Sequence, residues 1–127
     1  MSRFLWICLG GAAGTGARYL LSGWAITGLG TGFPWGTLAV NVIGSFCVGF
    51  LMQVGVATPL LSPTLRMALT TGVMGGFTTY STFNWETLRY VQDGAWRLAL
   101  GNVAVMLLTC LAAGFAGLAM GRSIFGG

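Results

Sequence analysis

The residue types with most chemistry lie in one stretch, Gly72-Val73-Met74-Gly75-Gly76-Phe77-Thr78-Thr79-Tyr80-Ser81-Thr82-Phe83-Asn84-Trp85-Glu86. Adjacent glycines followed by β-branched threonines weaken a helix: Gly has the most backbone freedom to lose, and Thr is stiff at χ1. The pattern predicts a break at Gly75–Thr79. In an apolar setting a break leaves carbonyl and N–H groups that hydrocarbon cannot satisfy. Freed carbonyls are oxygen ligands suited to a hard cation. The plainer alternative is a kink patched by threonine hydroxyls. Past the break, Thr79, Thr82, Phe83 and Glu86 share a helical face, and Tyr80 and Phe83 lie three apart. The edge of a phenyl ring is electropositive. Ring edges beside hydroxyl donors suit a small, strongly hydrated anion, without a fixed positive charge that would hold it too long for fast passage. Core packing of the rings explains the same stripe, so spacing alone leaves both readings open.

Three further residues stand out in apolar surroundings. Asn41 carries an amide that needs partners there, either a neighbouring helix or water. Arg18 and Glu86 are ionisable, and a charge within an apolar span is by default a functional hypothesis. Arg18 either snorkels to the surface or lines a water-filled vestibule, where it would raise the local anion concentration. Glu86 lies about one turn from the end of its segment, where capping or snorkelling explains it equally well. A stripe of Asn102, Met106 and Cys110 in the fourth segment fits the side of a pore, but packing explains it better.

The elements that position these residues follow from composition. The chain has 127 residues, of which 55% are hydrophobic and 6% charged. A soluble domain carries about 25% charged residues, so this chain lacks the means to cover a surface facing water. A helix needs about 20 mainly apolar residues to cross a bilayer. Four segments qualify, at about 4–26, 35–57, 65–91 and 96–120, within a single domain of residues 1–127. Gly28 to Pro34, Pro59 with Pro63, and Gln92-Asp93-Gly94 punctuate them. The five tryptophans lie mostly near segment ends, as interfacial anchors do. Of the 22 glycines, most read as packing: Gly10 and Gly14 are four apart, as are Ser45 and Gly49, and small residues at that spacing let helices approach closely. The fold class expected is an all-α membrane protein of four helices, the third broken near mid-membrane.

Several function classes drop out. There is no His, which removes the commonest general base and metal ligand. Cys8, Cys47 and Cys110 form no CxxC pair, which leaves no zinc or redox motif. The net charge of +4 comes from scattered arginines with no basic run, unlike a nucleic-acid footprint. The arginines also bear on orientation. Four spans put Arg3, Arg66 and Arg122 at one face and Arg18, Arg89 and Arg97 at the other. Loop charge bias sets insertion direction, and here it is balanced. The balance predicts insertion both ways and an antiparallel, dual-topology homodimer.

Three elements carry a family resemblance. Gly10-Gly11-Ala12-Ala13-Gly14-Thr15-Gly16-Ala17-Arg18-Tyr19, Gly36 to Phe46 (GTLAVNVIGSF) and Gly72 to Phe83 (GVMGGFTTYSTF) resemble, in order, three signature elements of the small bacterial fluoride channels called Fluc or CrcB. The resemblance covers three of the four helices. It implies an antiparallel homodimer in the inner membrane, with two fluoride pores and passive export of fluoride from the cytoplasm. It implies a structural Na⁺ at the dimer centre, held by the backbone carbonyls of Gly75 and Thr78. It places Asn41, Ser81, Thr82 and Phe83 on the fluoride pathway and Arg18 in the vestibule. One departure stands out: the family's second pore phenylalanine falls at Tyr80.

Two rivals remain. A small multidrug-type transporter requires an acidic residue in its first span, where this chain has Arg18 and no carboxylate. A non-conducting membrane scaffold subunit explains the glycines and leaves the hydroxyl run beside Gly75-Gly76 without a purpose. With no His and one carboxylate within a span, an enzyme is the weakest reading.

Overall fold

The computed structural model describes residues 1–126 and is all-helical among them. Helix α1 spans Ser2–Leu29 and α2 spans Trp35–Ala57. The third span is composite: α3 (Pro63–Met67), a π-helical turn (Ala68–Met74), α4 (Gly75–Phe77), then, after Thr78 and Thr79, α5 (Tyr80–Gln92). Helix α6 spans Trp96–Phe125. Helices α2 and α6 are long and apolar enough to cross a membrane, with mean hydropathy 1.8 and 2.2.

The boundaries have local causes. Gly30 and Gly94 take φ of 82° and 73°, left-handed values that only glycine adopts freely, where the chain leaves α1 and turns into α6. Ser62 caps the third span: its side chain accepts from the Leu65 N–H at 3.1 Å, and Pro63 occupies the first helical position, where its missing N–H costs nothing.

Two packed layers meet in the chain. Helix α2 lies along α6, and α1 lies along the π-helical turn and α4. Both contacts are made by backbone rather than interlocking side chains. A Cβ on Gly14 would overlap the Val73 carbonyl, and one on Gly76 would overlap the Gly11 carbonyl. On the other side Gly117 sits against Phe46 and Gly49 against Gly114 in the same manner. Close backbone approach gives dispersion and weak hydrogen bonding where lipid offers no hydrophobic drive between helices.

The break falls within the expected Gly75–Thr79 stretch, at its far end. Gly75 and Gly76 stay helical, and the chain opens one turn later: Thr78 (φ −86°, ψ 160°) and Thr79 (φ −149°, ψ 116°) are extended. The physical reason is that α1 clamps Gly72 and Gly76 at backbone distance, while the turn beyond them is unclamped on that side. The accumulated mismatch appears before the break, as the π turn.

The isolated chain leaves much apolar surface uncovered. Leu100, Leu108, Leu111 and Phe115 on α6 are each more than 60% exposed. Its total surface is 7684 Å², against about 6,500 Å² for a closed monomer of this mass. Lipid or a partner must cover the difference.

Gly14 is the one buried residue of α1, so its small size is testable. Gly14→Val is expected to lower unfolding stability in detergent by about 1–3 kcal/mol through overpacking against Val73. Gly23→Ala, with open space around it, is expected to stay within about 0.5 kcal/mol of the parent or gain slightly. Equal losses at the two positions would remove the backbone-contact account of the α1 interface.

Candidate functional site

Asn41 holds the break. Its Oδ1 accepts the Thr79 N–H at 2.8 Å, and its Nδ2 donates to the Thr79 carbonyl at 3.0 Å. A buried amide on α2 thus replaces, for one residue, the helical partners the third span gives up. The other half of the splice is Thr79 itself. Its hydroxyl accepts the Thr82 N–H at 3.2 Å and caps α5.

These two substitutions free specific carbonyls. In an uninterrupted helix the Thr79 N–H would close onto the Gly75 carbonyl and the Thr82 N–H onto the Thr78 carbonyl. Both N–H groups are diverted, to Asn41 and to the Thr79 hydroxyl. The carbonyls of Gly75 and Thr78 therefore lose their helical donors. The intervening Gly76 carbonyl has a substitute, the Arg18 Nε–H at 3.0 Å. The threonine patch is present too: the Thr78 hydroxyl donates to the Met74 carbonyl at 2.9 Å.

Two hollows flank the break. One, of about 680 Å³, is lined by Asn41, Ser45, Thr79, Tyr80, Phe83 and Cys110 among others, with no Arg, Asp or Glu. Phe83 is 6% exposed and Tyr80 is 75% exposed. Their rings meet edge to face, centroids 5.7 Å apart at 73°. The other, of about 610 Å³, is lined by Arg18, Thr37, Thr82, Glu86, Arg89 and Asp93 among others. A short hydroxyl run lies between them: Thr79 Oγ1 donates to Thr82 Oγ1 at 3.0 Å and lies 3.4 Å from Ser81 Oγ.

The sequence-predicted residues thus divide. Asn41, Tyr80 and Phe83 share the uncharged hollow; Arg18 and Thr82 share the charged one. Ser81 lines neither and is exposed. Arg18 is half-buried and lies with Arg89, toward the end where α2 begins. At the opposite end Arg3 donates to Thr64 at 3.3 Å, and Gln53 donates to the Gly126 carbonyl at 3.0 Å.

Thr37 was not singled out by sequence, and Glu86, Asn102 and Met106 were named there without their partners. Thr37 donates to Glu86 Oε2 at 3.0 Å, and Glu86 Oε1 is buried with no partner among the described residues. Thr37 lies four residues before Asn41, on the same face of α2, and that spacing was the available signal. Asn102, 1% exposed, donates to Thr87 Oγ1 at 2.9 Å, and its own Oδ1 has no partner among the described residues. Met106, 5% exposed, touches the Asn41 amide. The α6 stripe therefore does more than fill space.

Chemically, the uncharged hollow offers amide, hydroxyl and thiol donors with aromatic ring edges. The charged hollow offers the arginines Arg18 and Arg89 beside the carboxylates of Glu86 and Asp93. Such a sequence of environments suits an anion that is gathered at the rim and loses water further in.

Known proteins give the same direction. The family described as CrcB-like protein, Camphor Resistance (CrcB), matches residues 5–118. A protein of Sorangium cellulosum named fluoride-specific ion channel FluC is 54% identical over 127 residues, the whole of both chains. A protein of that name from Anaeromyxobacter dehalogenans is 48% identical over 126 residues, 99% of this chain and 100% of its own. Another, from Citrifermentans bemidjiense, is 44% identical over 124 residues, 98% of this chain and 100% of its own. Likeness at this level along the full length, with the matched region running from α1 into α6, means that the chain belongs to the CrcB-like family.

Proposed function

We propose that this chain is a fluoride-selective passive channel that exports fluoride from the cytoplasm across the bacterial inner membrane. The observation that carries the reading is full-length identity of up to 54% with proteins named fluoride-specific ion channels, in a chain whose uncharged hollow lies at a helix break. Nothing in this reading is catalytic. The protein lowers the cost of moving an ion through hydrocarbon and leaves direction to the gradient.

In this reading the anion collects at the Arg18 rim, passes the Thr82–Thr79 hydroxyls and enters the hollow beside Asn41, Phe83 and Tyr80. Hydroxyl and amide protons replace the water that the ion leaves behind, and the ring edges add weak positive potential. The hollow is open rather than enclosed, and α6 beside it is apolar and exposed, so a second copy of the chain is the natural cover. Balanced arginines support an inverted partner, which would give two equivalent paths per dimer. Gly75 and Thr78 offer backbone oxygens without donors at the break, which suits a hard monovalent cation such as Na⁺. Bound there, Na⁺ would neutralise those oxygens and tie the breaks of two copies together.

Liposomes loaded with fluoride and monitored with a fluoride electrode test the central claim. Efflux of fluoride with little chloride efflux is expected; chloride efflux without fluoride efflux would overturn it.

Tyr80→Phe restores the ring pattern of the family. The hydroxyl at Tyr80 is expected to change the fluoride rate by about threefold relative to Phe, with selectivity over chloride retained because Phe83 and the hydroxyls remain. Equal rates would remove any special role for the hydroxyl.

Asn41→Asp keeps an acceptor for the Thr79 N–H but sets a carboxylate oxygen against the Thr79 carbonyl. At least about a tenfold loss of fluoride efflux is expected, with a lower melting temperature in detergent. Efflux at the parental rate would show that the break does not depend on this amide.

A further inference from the structure

The contacts on Asn41 are unequal. Two of them, with the Thr79 N–H at 2.8 Å and the Thr79 carbonyl at 3.0 Å, fix which end of the amide is oxygen and which is nitrogen. The second Nδ2 proton then has one recipient, Met106 Sδ at 3.4 Å. A thioether is a weak acceptor. One turn along α6, the Cys110 thiol donates to the same sulfur at 3.6 Å. Met106 and Cys110 both line the 680 Å³ hollow with Asn41, Tyr80 and Phe83. Two donors at the wall of the candidate path therefore share one weak acceptor.

We propose that Met106 is a positioning residue for the permeating anion: its sulfur accepts hydrogen bonds from the free Asn41 N–H and the Cys110 S–H until both donors turn to fluoride, the protons staying on nitrogen and sulfur throughout. The inference rests on the reading of this hollow as the fluoride path and assigns its donors. A donor with no partner in an apolar wall carries its full desolvation cost. A donor on a carbonyl must be pulled from a strong acceptor. The thioether lies between these limits: it directs the donors inward and releases them readily. A hydrogen bond to an anion is about twice as strong as a neutral one, so fluoride displaces sulfur. When the ion leaves, both donors turn back to Met106. Meanwhile the Thr79 contacts keep the amide in place, so the helix break does not move with each ion.

Single-channel fluoride currents of the reconstituted full chain test this through the half-saturating concentration. Met106→Leu keeps the volume and removes the acceptor. It is expected to lower the half-saturating concentration by about fivefold and to lower the limiting current, because the ion becomes the only good partner. Met106→Gln supplies a strong acceptor and is expected to raise the half-saturating concentration. No change in either variant, or a shift of the same sign in both, is what packing alone predicts and would overturn the proposal. A second measurement needs no current. With ¹⁵N-asparagine-labelled protein in micelles, sodium fluoride is expected to move one Asn41 side-chain amide proton and leave its sibling on Thr79 unchanged; in Met106→Gln neither moves. Wild-type spectra in which both protons move together, or neither does, sink the assignment, and they decide it even where a variant fails to fold. A wild-type protein without fluoride current would instead remove the channel reading, which separates the two failures.

Discussion

The contact between Asn41 and the backbone of Thr79 is the constraint on which the rest of the structure hangs. A helix break within an apolar span leaves several polar backbone groups exposed to a medium that cannot solvate them. Each would cost about 1–3 kcal/mol if left buried and unpaired. One asparagine side chain takes both groups of the residue at the break. The Thr79 hydroxyl then starts a new helix at Tyr80. Without this splice, continuing the helix through Thr78 and Thr79 would be the lower-energy course, and Tyr80, Ser81, Thr82 and Phe83 would turn to different faces. The geometry of both hollows follows from where α5 restarts.

The two sides of the third span are held differently. Below the break, glycine contacts fasten the π turn and α4 to α1 at backbone distance. Beyond it, α5 is tied to α2 and α6 through side-chain hydrogen bonds, Thr37 to Glu86 and Asn102 to Thr87. The first arrangement leaves no room for water and the second leaves cavities with polar walls. Close anchoring on one side permits an open, polar arrangement on the other, since the register of the break is held by α1 and Asn41 and not by the walls of the hollows.

Much of the architecture was legible in sequence because it rests on local rules. Long apolar runs between Gly and Pro turns mark the helices, and the Gly-Gly-x-Thr-Thr order marks a weak point in the third. The exact residue of opening was not legible. Gly75 and Gly76 have the lower helical preference, yet they stay helical because α1 grips this stretch, a tertiary effect that propensity cannot carry. Asn41 was legible as an amide in need of partners but not as the one that splices Thr79, because that pairing joins residues 38 apart. Met106 was legible only as part of a stripe with Asn102 and Cys110 that packing explains as well as a pore side. Only its distance to the Asn41 amide distinguishes it from filler.

The placement of charge follows from how long an ion can be held. A unit positive charge about 4 Å from an anion is worth about 4 kcal/mol at an effective dielectric of about 20. At about 1.4 kcal/mol per decade, such a charge in the wall would slow release by roughly a thousandfold. Neutral donors contribute about 1 kcal/mol each and leave release fast. The lining of the 680 Å³ hollow is neutral in this sense, with amide, hydroxyl and thiol groups and no arginine. Arg18 is kept to the outer cavity, with its Nε–H committed to the Gly76 carbonyl. There its charge can gather anions by long-range attraction without facing the hollow. The same hydrogen bond that turns Arg18 away from the hollow also occupies the Gly76 carbonyl, whereas the carbonyls of Gly75 and Thr78 are left without their helical donors. The absence of an arginine from the hollow's lining and the occupation of the Gly76 carbonyl thus follow from one side chain's position.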